Sequence, residues 1–313
     1  MAPKKTYPIA LACGVARFDF LTDAFNRESR KLFGDVFDRV VAYLANHGVS
    51  VVTDGLHYFR GIKTFLDADG FDVHHTRVGF ASRLADRSAD LKAQVTEILG
   101  RTGAAKVHII AHSMGGLDAR AMIARLGMAD KVASLTTVGT PHHGTSFADY
   151  KLSRGGDALI EAVSKAVDVR GFADLTRGAC KTFNEEVRDA EASNGVDYQT
   201  YSASEGREAT FVFLQASWDI IKKEEGDNDG LVPLTSQAWQ AEIVGGDGRR
   251  KKIAQRQFPV RADHLNEVGW WDLNELHGAA AKLFSFGARE RYENSIKEVY
   301  RDIARGLRER FPV

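Results

Sequence analysis

Residues 107–116, Val-His-Ile-Ile-Ala-His-Ser-Met-Gly-Gly, restrict the fold more than any other stretch of the chain. A run of apolar and β-branched residues ends in a small residue, then His112-Ser113, and Gly115-Gly116 open a helical pattern. A serine on so sharp a strand-to-helix turn sits in strained backbone, with no room for large side chains two places before or after it. Ala111 and Gly115 fill those two places. The turn presents Ser113 at the C-terminal edge of a sheet, beside the positive end of the following helix. His112 precedes the serine, so its ring points elsewhere on the turn. Packing or orienting is its expected role.

The rest of the chain agrees with a parallel sheet flanked by helices. Short apolar or β-branched runs predict strands at Tyr7–Ala12, Phe71–Val78, Val107–Ala111, Leu135–Val138 and Asp197–Ser202, the pattern of strands buried on both faces. Amphipathic stretches between them predict helices over Arg83–Leu99, Gly116–Leu126 and about Ser295–Arg310. No repeat is visible, and one α/β domain over residues 1–313 is expected. Two segments look like additions to the sheet. Residues 20–53, read as an insertion, carry Phe33, Val36, Phe37, Val40, Val41 and Leu44 at helical spacing. Residues 147–190 carry Leu159, Val163, Ala166 and Val167 opposite Asp157, Glu161 and Lys165. Each has two readings: a helix packed on the core, or a cap over an apolar cleft.

Charge removes some function classes. Lys+Arg and Asp+Glu both number 42, so no long-range field draws the chain to nucleic acid or an anionic membrane. Arg249-Arg250-Lys251-Lys252 reads as a solvated loop. The two cysteines, Cys13 and Cys180, imply no disulfide framework. Residues 4–13 imitate the start of a signal peptide, but cleavage there would destroy the first core strand, so the reading is cytoplasmic. A leaderless secreted form would look the same. No apolar run approaches the ~20 residues of a membrane-spanning helix.

A serine hydroxyl needs a base, and the base needs an acid to hold its tautomer. In a fold with this turn the chain order is Ser, then Asp or Glu, then His. The stretch Gly226-Asp227-Asn228-Asp229-Gly230 offers two acids in a turn. Arg261-Ala262-Asp263-His264 offers a base just after an apparent strand, Phe258–Val260. His277 is the rival base, although its Leu-His-Gly setting suits a helix end. On the residues alone, Asp227 stays open beside Asp229, and His277 beside His264.

Five blocks resemble the bacterial true lipases of the Pseudomonas, Burkholderia and Proteus type, within the α/β-hydrolase superfamily. They are Tyr7–Val15, the 107–116 turn, Gly139-Thr140-Pro141-His142-His143-Gly144-Thr145, Asn228-Asp229-Gly230-Leu231-Val232 and His264-Leu265-Asn266-Glu267-Val268. The resemblance covers most of the chain and implies an α/β-hydrolase fold, a mostly parallel sheet flanked by helices, with a helical cap or lid at 147–190. It prefers Asp229 and His264 to their rivals, with Ser113 as nucleophile. It makes Val15 and Met114 the backbone donors of an oxyanion hole. The departures are Cys13 where the family has a histidine, the 20–53 insertion, and the calcium ligands. Asn266 stands in place of an Asp, and no Asp lies near Glu208-Ala209-Thr210. Calcium favours several oxygens including carboxylates, so no metal and no cofactor is expected.

The function expected is a serine carboxylic-ester hydrolase acting on acylglycerols or other medium- to long-chain esters through an acyl-enzyme. Its partner is a small ester or lipid, with transient lipid-interface contact through the cap, no stable membrane insertion and no nucleic acid. An acyltransferase, thioesterase, or polyester or lactone hydrolase would use the same triad. A non-catalytic binding module is the reading from a different class.

Overall fold

The computed structural model describes residues 6–14, 57–78, 83–153, 170–270 and 285–313. In chain order these form β1 (Ile9–Ala12), α1 (Ile62–Ala68), β2 (Val73–His75), α2 (Leu84–Thr102), β3 (Val107–His112), α3 (Met114–Arg125) and β4 (Val132–Val138). There follow α4 (Ser146–Ser153), α5 (Arg177–Ser193), β5 (Asp197–Ser202), α6 (Gln215–Glu224), α7 (Leu234–Gln237), β6 (Glu242–Val244), β7 (Arg250–Gln257) and α8 (Ser285–Arg310). The seven strands form one sheet in the order β2-β1-β3-β4-β5-β7-β6, parallel except where β6 runs antiparallel to β7. The insertion expected at 20–53, the helix carrying Leu159 and Val163, Val15 and His277 lie outside the described residues.

Side chains alternate between the two faces of each strand. Ile9, Leu11 and Ile110 point to one core, closed by Ile62 and Leu66 of α1 and by Ile296, Val299, Tyr300, Ile303 and Leu307 of α8. Ala10, Ala12, Ile109 and Ala111 point to the other, against Leu91, Val95 and Ile98 of α2 and Ala119, Met122 and Ile123 of α3. The small residues of that second face let α3 approach the sheet closely. Arg87 on α2 then locks α3 from behind. Its guanidinium Nε and Nη2 donate to the buried Asp118 carboxylate at 3.1, 3.0 and 2.7 Å, and Nη2 also reaches Cys13 O at 3.2 Å.

Two expectations need correction. Arg250–Lys252 are not a solvated loop: they pair with Glu242–Val244, and Ile253–Gln257 continue beside Tyr198–Ser202. Ile253 is the one buried residue of this strand, so it gives no alternation to read. Lys251 shows how the charge is accommodated, with Nζ donating to Asn194 Oδ1 and Val196 O, both at 3.0 Å, over the Tyr198 ring. The apparent strand Phe258–Val260 is irregular chain just past β7, its Phe258 N–H donating to Ser202 O at 2.8 Å.

Buried histidines give the fold a pH dependence. His108 on β3 is fully buried between Ser134 Oγ, 2.7 Å from Nδ1, and Thr6 Oγ1, 3.1 Å from Nε2. Burial, with the nearby Arg310 cation, pushes its pKa down to about 4. The unfolded chain therefore binds a proton here that the folded chain refuses. This stability is full above about pH 6.5 and is lost as pH falls toward about 4. Between about pH 7 and about pH 5 the loss should be about 2 kcal/mol from His108 alone. Urea midpoints at the two pH values, for wild type and His108→Gln, check this. The variant should lose correspondingly less stability on acidification.

Candidate active site

β3 delivers Ser113 to the C-terminal edge of the sheet, where the backbone takes φ 57° and ψ −136° before α3 begins. That left-handed φ is uncommon for a residue with a Cβ and marks stored strain. Neighbouring bonds hold it: Ser113 N–H donates to Val138 O at 2.9 Å, and Thr140 Oγ1 donates to Ser113 O at 2.9 Å. Gly115 is required by close approach, since a Cβ there would lie 2.6 Å from Ala12 O and 2.7 Å from Cys13 O. Met114 is the first residue of α3, so its N–H is one of the donors a helix leaves unpaired at its start.

His264 comes from the irregular chain after β7, and Asp229 from the turn after α6. Ser113 Oγ lies 2.8 Å from His264 Nε2, and His264 Nδ1 lies 2.8 Å from Asp229 Oδ2. All three are nearly buried, at 4%, 3% and 0% exposure, so their mutual bonds are little diluted by water. The Asp229 turn is self-wired. Its Oδ1 accepts the N–H groups of Leu231 at 2.8 Å and Val232 at 2.7 Å, while its own carbonyl accepts His264 N–H at 2.8 Å. Asp227, two residues earlier, is exposed and bound to Lys222 Nζ at 2.6 Å. The structure therefore brings Ser113, His264 and Asp229 together and leaves Asp227 outside.

Gln237 completes the carboxylate's surroundings, and no sequence motif announced it. Its Nε2 donates to Asp229 Oδ2 at 3.0 Å and to Val232 O at 2.9 Å, while Oε1 accepts Ala203 N–H at 2.8 Å. Gln237→Leu removes one of four hydrogen bonds to the Asp229 carboxylate and strands the Ala203 N–H, while Val232 O keeps the Asp229 N–H at 3.3 Å. It should cost about 2–3 kcal/mol of stability and lower kcat by roughly tenfold with KM nearly unchanged. Urea unfolding and steady-state kinetics below the transition check both numbers.

His112 is no base for Ser113. Its Nε2 lies 2.9 Å from Glu267 Oε2 and its Nδ1 2.6 Å from the Tyr58 hydroxyl, while its ring packs 4.5 Å from that of His264. Burial and the neighbouring His264 hold its pKa well below the usual value, so it is neutral. Among the described residues, one group of metal-ligand types comes together: His112, His264 and Glu267, with ligand atoms within 4.8 Å of one another. All four imidazole nitrogens already have partners within the protein.

The residues at the calcium position do not fit that ion. Asn266 Oδ1 accepts Asp263 N–H at 3.0 Å, and its Nδ2 donates to Trp270 O at 2.9 Å. The Asp263 carboxylate accepts N–H groups from Leu265 and Asn266, both at 2.9 Å, and from Phe211 at 2.7 Å. The chain before Asp229 and the His264 loop are thus joined directly, with the carboxylate oxygens already turned to backbone donors.

Known proteins resemble the chain in the same terms. A family model for the α/β-hydrolase fold matches residues 44–175. A Saccharomyces cerevisiae protein described as triacylglycerol lipase 2 is 31% identical over 236 residues, 73% of this chain and 67% of the relative. A Vibrio cholerae triacylglycerol lipase is 39% identical over 251 residues, 68% of this chain and 74% of the relative. Among solved structures, a metagenomic carboxyl esterase superposes with TM-score 0.62 at 17% identity, covering 98% of this chain and 76% of the other. The mature Bacillus licheniformis lipase BlEst2 gives TM-score 0.54 at 17% identity, covering 83% and 85%.

Proposed function

The chain belongs to the triacylglycerol lipase family within the α/β-hydrolase fold and is a carboxylic-ester hydrolase; we propose that Ser113, His264 and Asp229 carry out this reaction on acylglycerols or other medium- to long-chain esters. The observation that supports the residues is the continuous pair of 2.8 Å contacts from Ser113 Oγ through His264 to Asp229. The names of the relatives support the substrate class.

The chemistry is two-step acyl transfer. Ser113 Oγ forms a bond to the ester carbonyl carbon while its proton passes to His264 Nε2, and the carbonyl electron pair moves onto oxygen. Asp229 accepts from Nδ1–H and stabilises the imidazolium without itself taking the proton. The Met114 N–H, with Val15 as the second donor, stabilises the oxyanion. Collapse breaks the bond to the alcohol, which leaves with the proton from His264. Water, deprotonated by the same histidine, then repeats the sequence and frees Ser113 and the carboxylic acid. The exposed Leu152 on α4 and Val212 just before α6 offer apolar contact to a lipid interface.

Hydrolysis of p-nitrophenyl esters from acetate to palmitate, by wild type and Ser113→Ala, tests this reading. Activity that rises with acyl length and vanishes in the variant supports it. Activity confined to acetate and butyrate overturns the substrate class, and an equally active variant overturns the nucleophile.

A further inference from the structure

Ser113 and His264 lie 151 residues apart in the chain, yet the reaction needs their reacting atoms in close register. The bonds around Asp229 fix His264 against the Asp229 turn, since the Asp229 carbonyl accepts the His264 N–H and Oδ2 meets Nδ1. They do not set that loop against the turn that carries the nucleophile. Among the described residues, one hydrogen bond besides the catalytic contact joins residues 263–270 to residues 107–116. It links Glu267, on the short helical turn after His264, to His112, the residue before Ser113. Oε2 and Nε2 lie 2.9 Å apart, and both side chains are fully buried.

The surroundings of Glu267 favour that one bond. Gly139, with φ 54°, directly follows β4, and a Cβ there would lie 2.0 Å from Glu267 Oε2, so the carboxyl fills space that a side chain at 139 would take. The same strand end holds the nucleophile, because Val138 O accepts the Ser113 N–H at 2.9 Å. From behind, Tyr300 on α8 donates its hydroxyl to Glu267 O at 2.8 Å, and the Glu267 N–H donates to Asp263 O at 3.1 Å. Among the described residues no Lys or Arg pairs with Glu267, and burial with the Asp229 and Asp263 carboxylates pushes its pKa well up, so a full charge is not what it offers. What it offers is reach. Both nitrogens of His264 are engaged by Ser113 and Asp229, so Glu267 meets the base only through His112, whose ring packs 4.5 Å from that of His264.

We propose that Glu267 is a positioning residue for the reaction: through His112 it seats the loop that carries His264 on the turn that carries Ser113. This rests on the reading of Ser113 as nucleophile and His264 as base. Glu267 touches no substrate and transfers no proton. His112 is held at its other end as well, with Nδ1 2.6 Å from the Tyr58 hydroxyl, so the ring is a fixed seat for the Glu267 carboxyl. Loss of the Glu267 bond frees the loop to shift against the turn, and a displacement of about 1 Å at reacting atoms costs roughly 10²-fold in rate.

Two substitutions separate reach from charge. Glu267→Asp keeps a carboxyl but withdraws it by about 1.5 Å, beyond hydrogen-bond range of His112. Glu267→Gln keeps the reach, and an amide completes the bond whichever atom of the pair carries the proton. Glu267→Asp should lower kcat by about 10- to 100-fold with KM within about twofold of wild type. It should slow organophosphonate labelling of Ser113 by the same factor. Glu267→Gln should stay within about fivefold of wild type in both assays. In a His112→Leu protein, adding Glu267→Asp should cost less than about twofold more, because the partner is already gone. All assays run below each variant's unfolding transition. An Asp variant within about twofold of wild type, a Gln variant as impaired as the Asp one, or additive losses in the double variant overturns the proposal. Failure of wild-type Ser113 to label removes the nucleophile reading and this proposal with it, so the two failures are distinguishable.

Discussion

Ser113→Ala should reduce kcat by about 10⁶-fold, and His264→Ala by nearly as much, while the double variant should be no worse than either. The two side chains act as one unit: an unassisted hydroxyl does not attack, and a base without its hydroxyl has nothing to activate. Their 2.8 Å contact is already made in the resting protein. Asp229→Asn should cost about 10⁴-fold, because an amide nitrogen facing His264 Nδ1 selects the wrong tautomer. Steady-state kinetics on one p-nitrophenyl ester, with melting temperatures for each variant, give all four values. Unfolding temperatures within a few degrees of wild type would assign the losses to chemistry. Additive losses in the double variant would mean that Ser113 and His264 do not work on the same proton.

Glu191→Leu should be the most damaging substitution for stability. Arg120 on α3 donates to Glu191 on α5 through Nε at 2.7 Å and Nη2 at 2.9 Å, to Asn184 Oδ1 at 2.8 Å, and meets His142 Nδ1 at 3.2 Å. Its guanidinium lies 4.1 Å from the Trp239 ring centre, and His142 stacks on that same ring at 4.2 Å. Arg120 and Glu191 are each 1% exposed. Without Glu191 the cation is left buried and unpaired, which costs about 3–5 kcal/mol. For a chain of this size that corresponds to a fall of roughly 10 °C in melting temperature. Arg120→Met combined with Glu191→Leu should recover much of the loss, since it is the uncompensated charge that is expensive. Calorimetry on the two variants checks this, and a double variant as unstable as the single one would assign the cost to packing.

The two substitutions act on different levels of the same helix. α3 carries Ser113 at its start and Arg120 two turns on, so the strained elbow is braced at both Arg87–Asp118 and Arg120–Glu191. Strain at a nucleophile persists only where its surroundings over-determine it. The two buried ion pairs supply that constraint from the neighbouring helices.

What the sequence determined by itself was local. Ala111, Gly115 and the β-branched run before them dictate a tight strand-to-helix turn, because only small residues fit beside it. The apolar spacing of β1, β3, β4 and β5 dictates strands covered on both faces. The order Ser113, Asp229, His264 follows from the chain and needs no coordinates. Tertiary structure decided what touches what across the sheet. Asp227 and Asp229 look alike in a turn, but side chains two residues apart on it point apart, and only one faces His264. Arg250–Gln257 becomes a strand because Tyr198–Ser202 leaves an unpaired edge beside it, a cause absent from its own composition. Gln237, Glu267 and Tyr58 acquire their places from long-range packing, and a buried glutamate or glutamine carries no local pattern. Hydrogen-bond partners separated by 54 and 155 residues are chosen by the folded geometry, since the energy that selects them exists only once water has been excluded.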